Sequence, residues 1–97
     1  MQRYRFTLYV AGDSPRSAQA IRNLRGLGEK RLHGGYDLAV IDVLTDPERA
    51  ELARILTTPT LVKDSPLPTR RVTGDLSNHD QVLVALGLPQ DAAERST

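Results

Sequence analysis

The feature that most constrains the fold is the nearly continuous apolar run over residues 38–44, β-branched at Val40, Ile41 and Val43. Such a run suits a strand covered on both faces, as in a parallel sheet. Upstream, Phe6, Leu8 and Val10 alternate with Arg5, Thr7 and Tyr9, which is the period of another strand. Between the two, Ser14 offers an N-cap oxygen and Pro15 takes the first helical position, where its missing N–H costs nothing. Ile21, Leu24 and Leu27 follow at near-helical spacing, with Arg16, Gln19, Arg22 and Arg25 elsewhere on the surface. Gly26 and Gly28 weaken the end of this helix, and Gly34-Gly35 breaks the chain. Strand, helix and strand in this order argue a right-handed βαβ crossover.

The second half continues the pattern. Asp46 and Pro47 repeat the cap-plus-proline start, and Leu52, Ile55 and Leu56 stand at i, i+3 and i+4 as the apolar face of a second helix. Thr58-Pro59-Thr60-Leu61-Val62 reads as a short strand entered through a proline. Residues 64–68 form a turn region holding Pro66 and Pro68, and Arg70-Arg71-Val72-Thr73 is a further strand ended by Gly74-Asp75. Ser77 is the expected cap of a last helix, with Asp80 at the capping-box position. Val82, Leu83 and Leu86 supply its apolar side, Gly87 falls at a left-handed C-cap, and Pro89 forbids continuation. The expected class is therefore α/β, a βαβαββα chain with a mixed four-stranded sheet and three helices. That is the thioredoxin arrangement. In that fold a cis-proline precedes the third strand, so the fold resemblance, not the residue itself, implies that Pro59 is cis. The expected domain covers residues 1–89, with a polar tail at 90–97.

Composition removes most chemistry. The chain has no cysteine, so disulfides, thiolate nucleophiles, zinc–cysteine sites and iron–sulfur clusters are excluded together. Thioredoxin-type exchange needs a Cys-x-x-Cys after the first strand, and here that slot reads Ala11-Gly12-Asp13-Ser14-Pro15-Arg16. Ser14 has no base placed beside it by the sequence and reads as a cap. His33 and His79 are the only histidines and read as solvated surface residues rather than metal ligands. Asp37 and Asp42 fall on opposite faces of a strand, which argues against a carboxylate pair. Asp42, inside an apolar stretch, reads as a structural hydrogen-bond acceptor. With 13 basic and 12 acidic residues, one Phe and three Tyr, the chain lacks both the charge and the stacking platforms of a nucleic-acid binder. The Arg16, Arg22 and Arg25 set reads as a solvated helix face. Arg70 and Arg71 either charge a sheet edge against aggregation or steer an acidic partner. No signal segment or membrane span is seen, which makes the cytoplasm the expected location, whereas a cofactor-free, non-enzymatic class is what the family resemblance below implies.

Several stretches resemble the KaiB family. They are Leu8-Tyr9-Val10-Ala11-Gly12 followed by Ser14-Pro15-x-Ser17; Val40-Ile41-Asp42-Val43-Leu44 followed by Pro47; Thr58-Pro59-Thr60-Leu61; Leu67-Pro68 before Arg70-Arg71; and Gly74-Asp75-Leu76-Ser77 before Val82-Leu83. Each is weak alone, and together, in order, they are specific. The resemblance implies a protein that binds the hexameric ATPase KaiC and modulates its phosphorylation and ATPase cycle, with KaiA as a further partner or a SasA-like kinase as competitor. It leaves open a relative in stress adaptation with another partner. It also implies fold switching between a thioredoxin-like monomer and a resting, often tetrameric form whose second half is βααβ. For partner contact it implies Glu48, Glu51 and Arg54 on the second helix, and it favours the partner role for Arg71. Pro59, Pro68, Ala85 and Gly87 are the structural and switch positions. Family members commonly carry Gly at the position of Ala85 and Asp at that of Gly87. Alanine in place of glycine inside a helix is worth about 1 kcal/mol, roughly fivefold in an equilibrium. Both departures, together with Pro89 where the family often has a Leu-Leu-Tyr segment, favour the thioredoxin-like form.

Overall fold

Alternation in β1 (Tyr4–Val10) sends Phe6, Leu8 and Val10 to one face of the sheet, and Thr7 and Tyr9 to the other. In the computed structural model, which describes residues 3–89, β1 is followed by α1 (Pro15–Arg31), β2 (Tyr36–Asp42), α2 (Pro47–Leu52), β3 (Thr60–Ser65), β4 (Arg70–Thr73) and α3 (His79–Leu86). The sheet order is β2-β1-β3-β4. β1 runs parallel to β2 and antiparallel to β3, which in turn pairs antiparallel with β4. This is the expected mixed four-stranded thioredoxin-like sheet. The expected polar tail at 90–97 lies outside the described residues.

The main core lies where α1 and α3 cover one face. Phe6, Leu8 and Val10 meet Ala20, Leu24 and Leu27 of α1, Leu61 of β3, and Val82, Leu83 and Leu86 of α3. On the opposite face a smaller cluster joins Tyr9, Val62 and Ala50, with Ile41, Val43, Ala53 and Ile55 packed against it. α2 is the cover on that side.

Local chemistry explains most boundaries. Ser14 accepts from the Ser17 N–H with Pro15 at the helix start, as expected. α1 does not weaken at Gly26 and Gly28. It continues to Arg31 because Gly28 is buried against β2, where a Cβ would overlap the Tyr36 ring. The chain then turns at Gly34 (φ 75°), whose N–H donates to the Gly28 carbonyl at 2.9 Å. Gly87 closes α3 in the left-handed conformation (φ 72°, ψ 27°), as expected. The Thr58–Pro59 bond is cis, and so are Ser65–Pro66 and Leu67–Pro68.

Further expectations are corrected. β2 is not covered on both faces. It pairs with β1 alone and forms an edge, and Val40 is 44% exposed. Its apolar run therefore marks a strand with one neighbour and a thin cover. α2 is one short helix of 6 residues that ends at Leu52, and of its expected apolar face only Ile55, beyond the helix, packs against the smaller core cluster. Only Ala50 is buried within it, while Leu52 is 85% and Leu56 94% exposed. Asp46 makes no side-chain cap bond, and its carboxylate lies 3.8 Å from the Arg49 guanidinium. Finally, the cap of α3 is Asn78, whose side-chain oxygen accepts from the Gln81 N–H at 3.1 Å. Ser77 instead donates its backbone N–H to Asp75, and Asp80 pairs with Arg31 at 3.0 Å.

Candidate functional site

The slot after β1, where this fold places redox cysteines, is closed by hydrogen bonds. The Ser14 hydroxyl donates to Ser17 Oγ at 2.8 Å, and Ser17 Oγ accepts from the Ala11 N–H at 3.2 Å. Gly12, at φ 58°, donates its N–H to Asp42 Oδ1 at 3.0 Å, and the same oxygen accepts from the Leu44 N–H at 2.9 Å. Asp42 is thus the structural acceptor expected of it, fixing the loops after β1 and β2. Ser14 acts as a cap. Among the described residues no cluster of His, Asp and Glu could hold a metal ion.

The surface with unsatisfied apolar character is α2 and its flanks. Ala50 anchors the helix on Tyr9 and Val62. Glu48, Glu51, Leu52 and Arg54 line an open cavity of about 610 Å³ on its outer side. Leu52 also borders a second groove of about 370 Å³, running over Thr7, Tyr9, Ala39 and Ile41 to Arg49 and Ala53. An exposed leucine therefore stands between two acids, two arginines and an uncovered strip of sheet. Within that strip the Thr7 hydroxyl donates to Asp64 at 2.6 Å. Burial, helped by the Asp64 charge, pushes the Tyr9 hydroxyl pKa up, so the phenol stays neutral.

The structure brings Glu48, Glu51 and Arg54 to one surface. Arg71 joins it differently. Because side chains alternate along a strand, Arg70 and Arg71 leave β4 on opposite faces. Arg70 passes beside Gly87 at the end of α3. Arg71 reaches the α2 side, where Nη2 donates to the Ala53 carbonyl at 2.8 Å and Nη1 to the Arg54 carbonyl at 3.1 Å. Pro59, Pro68, Ala85 and Gly87 lie away from this surface, at the entry to β3, in the β3–β4 turn and at the end of α3. Within β3, Lys63 is only 3% exposed, and its ammonium donates to the Pro66 carbonyl in that turn at 2.6 Å. Burial, and then the nearby Arg70 charge, push its pKa down.

Residues 7–88 match the family model for the KaiB domain. The chain belongs to the KaiB family. It is 51% identical over 85 residues to the circadian clock oscillator protein KaiB of Thermostichus vulcanus, covering 88% of this chain and 79% of that protein. With the KaiB of Synechococcus elongatus it shares 49% identity over 85 residues, 88% and 83% of the two chains. Among solved structures, the N-terminal domain of Synechococcus elongatus SasA superposes with a TM-score of 0.61 at 29% identity, covering 87% of this chain and 86% of that domain. Mitochondrial thioredoxin 3 of Saccharomyces cerevisiae superposes at 0.69 with 14% identity, covering 90% and 79%. The thioredoxin likeness concerns the fold alone. It places the KaiB chain described above in the thioredoxin-like arrangement, and not in the βααβ alternative.

The i, i+3, i+4 spacing of Leu52, Ile55 and Leu56 looks the same on a buried face and on an open one, and only Ile55 packs inward. No sequence signal separates them. The Arg71 contact is equally invisible, since it depends on its side chain reaching the Ala53 and Arg54 carbonyls from a strand 17 residues on.

Proposed function

We propose that this chain is a non-enzymatic clock-type protein of the cytoplasm that docks through α2 and its flanks on a KaiC-type hexameric ATPase and modulates its phosphorylation and ATPase cycle. The observation that carries the reading is the exposure of Leu52, at the end of a helix that buries only Ala50, beside Glu48, Glu51 and Arg54. An apolar anchor rimmed by charge is the form a protein–protein hot spot takes. The closed slot after β1 and the missing cysteines support the absence of thiol chemistry. The KaiB relatives bear the name of a circadian clock oscillator protein, which supports the choice of partner. The fold shared with the SasA domain supports a SasA-like kinase as competitor for the same ATPase, and KaiA is the further partner. Docking is gated by exchange with a resting form whose second half is repacked as βααβ in a tetramer, and Ala85 and Gly87 bias that exchange toward the form described here.

The test is size-exclusion chromatography with light scattering of the chain and an ATP-loaded KaiC-type hexamer from the same organism. Co-elution, abolished by Leu52→Asp, is expected, with a monomeric free peak. Failure to co-elute after long incubation would overturn the partner, and a tetrameric free peak would overturn the bias attributed to Ala85 and Gly87.

A further inference from the structure

We propose that Arg71 is a positioning residue for the docking helix. It acts through the backbone of α2 and does not touch the partner. The inference rests on the docking reading above and deepens it. A helix of 6 residues is far below the length that is stable by itself in water. Its last carbonyls have no intrahelical partner, and at most helix ends water or a local turn satisfies them. Here the two successive carbonyls after the helix, Ala53 and Arg54, each receive a separate guanidinium nitrogen of Arg71, at 2.8 and 3.1 Å. Both bonds are charge-assisted, and the cation sits at the negative end of the helix. The segment so held is an unusual one. Arg54 has φ 57°, a left-handed conformation, and from there Ile55 turns back so that its N–H donates to the Ala50 carbonyl at 2.9 Å. This turn aims Arg54 at the outer cavity and leaves Ile55 against the smaller cluster.

The clamp comes from a distant part of the chain. Arg71 pairs with Val62 across the β3–β4 ladder, and Val62 lies under Ala50 in the smaller cluster. A one-residue slip of β4 would move Arg71 to the other face and remove the clamp. The shape of the docking surface in the first half of the chain is therefore set by the register of a strand in the second half.

The test compares wild type, Arg71→Met and Arg71→Lys. Lysine keeps the charge but cannot offer two fixed donors to two carbonyls. Two readouts are taken: NMR-detected exchange of the Ala53, Arg54 and Ile55 amides in the free protein, and affinity for the ATP-loaded KaiC-type hexamer. Exchange of the Leu8 and Leu61 amides reports that each variant is folded. The expected result is roughly tenfold faster exchange at the three amides and a roughly tenfold loss of affinity in both variants. Wild-type affinity in Arg71→Lys would overturn the proposal, because charge alone would then suffice. Unchanged exchange in either variant would overturn it as well. A wild-type chain that binds no such hexamer sinks the docking reading, and the clamp on α2 is then decided by exchange alone.

Discussion

The end of α3 offers the most quantitative test of which packing this chain prefers. Consider Ala85→Gly combined with Gly87→Asp. Ala85 lies inside α3, where glycine costs about 1 kcal/mol through backbone entropy. Gly87 is held at φ 72° and ψ 27°, where a side chain meets its own carbonyl and costs about 1 kcal/mol, aspartate sitting at the tolerant end. An acid at a helix C-terminus adds about 0.3–1 kcal/mol of unfavourable dipole interaction. That last effect is offset by Arg70, whose Nε would lie 3.5 Å from the new Cβ. The balance is a loss of about 2 kcal/mol for the thioredoxin-like form, roughly thirtyfold in an equilibrium constant. Urea unfolding followed by circular dichroism should show a midpoint lower by about 1–2 M. Amides of Val82 and Leu83 should exchange faster, and strand-type chemical shifts across residues 77–86 should emerge if the resting packing is within reach. A double variant with an unchanged midpoint and unchanged α3 exchange would refute the argument, because it would mean that neither position contributes to holding this helix.

Three further predictions follow from single contacts. Gly28→Ala forces α1 away from the Tyr36 ring and should destabilise by about 1–3 kcal/mol despite the gain in helix propensity; Tyr36→Leu in the same chain should recover most of the loss in a double-mutant cycle read by urea unfolding. Asp42→Ala removes the acceptor shared by the Gly12 and Leu44 N–H groups and should cost about 2 kcal/mol, visible as a lower midpoint and as lost protection of the Gly12 amide. The Asp37 carboxyl is held below the usual carboxylate range by its hydrogen bond and charge contact with Arg3. Its folded-state pKa is lower than its unfolded one, so its contribution is complete above about pH 4 and is lost as pH falls through the folded value. Both partners are exposed, so Asp37→Asn should shift stability within the small range of surface pairs and flatten only that acidic limb of a pH titration.

The topology was legible because each element carried its own signal. Period-two alternation marked β1, Ser14-Pro15 marked the start of α1, and Gly87-Pro89 marked the end of α3. What could not be read was position within the sheet. An apolar, β-branched run specifies a strand, but the number of its neighbours depends on where β3 inserts, and β3 takes the other side of β1. Ser77 and Asn78 are both good caps at adjacent positions, and the choice followed the path of the chain after Leu76, which is held at φ 63° with its side chain buried. For the proposed site, family likeness singled out Glu48, Glu51 and Arg54, which the structure brings to one surface. The exposure of Leu52, which gives the surface its apolar character, could not be read, since helical spacing says that a face exists and not what covers it.

The distribution of satisfied and unsatisfied groups explains why the docking reading belongs to α2. In this fold the N-terminus of α1 is the natural place for chemistry, because orphan N–H donors gather there beside the loop after β1. In this chain those donors are taken: Ser17 by Ser14, Ala11 by Ser17, Gly12 by Asp42. With these contacts the loop after β1 and the start of α1 are tied to each other and to Asp42. At α2 the balance is reversed. The backbone just after it is secured by Arg71, its anchor is a single alanine, and Leu52 stands exposed beside charged neighbours. Apolar area left exposed in that way is a standing free-energy cost of about 25 cal/mol per Å² that only association removes. The proposed docking would use this contrast: a loop after β1 tied down by hydrogen bonds, and an exposed Leu52 over open grooves at α2 whose burial a partner would supply.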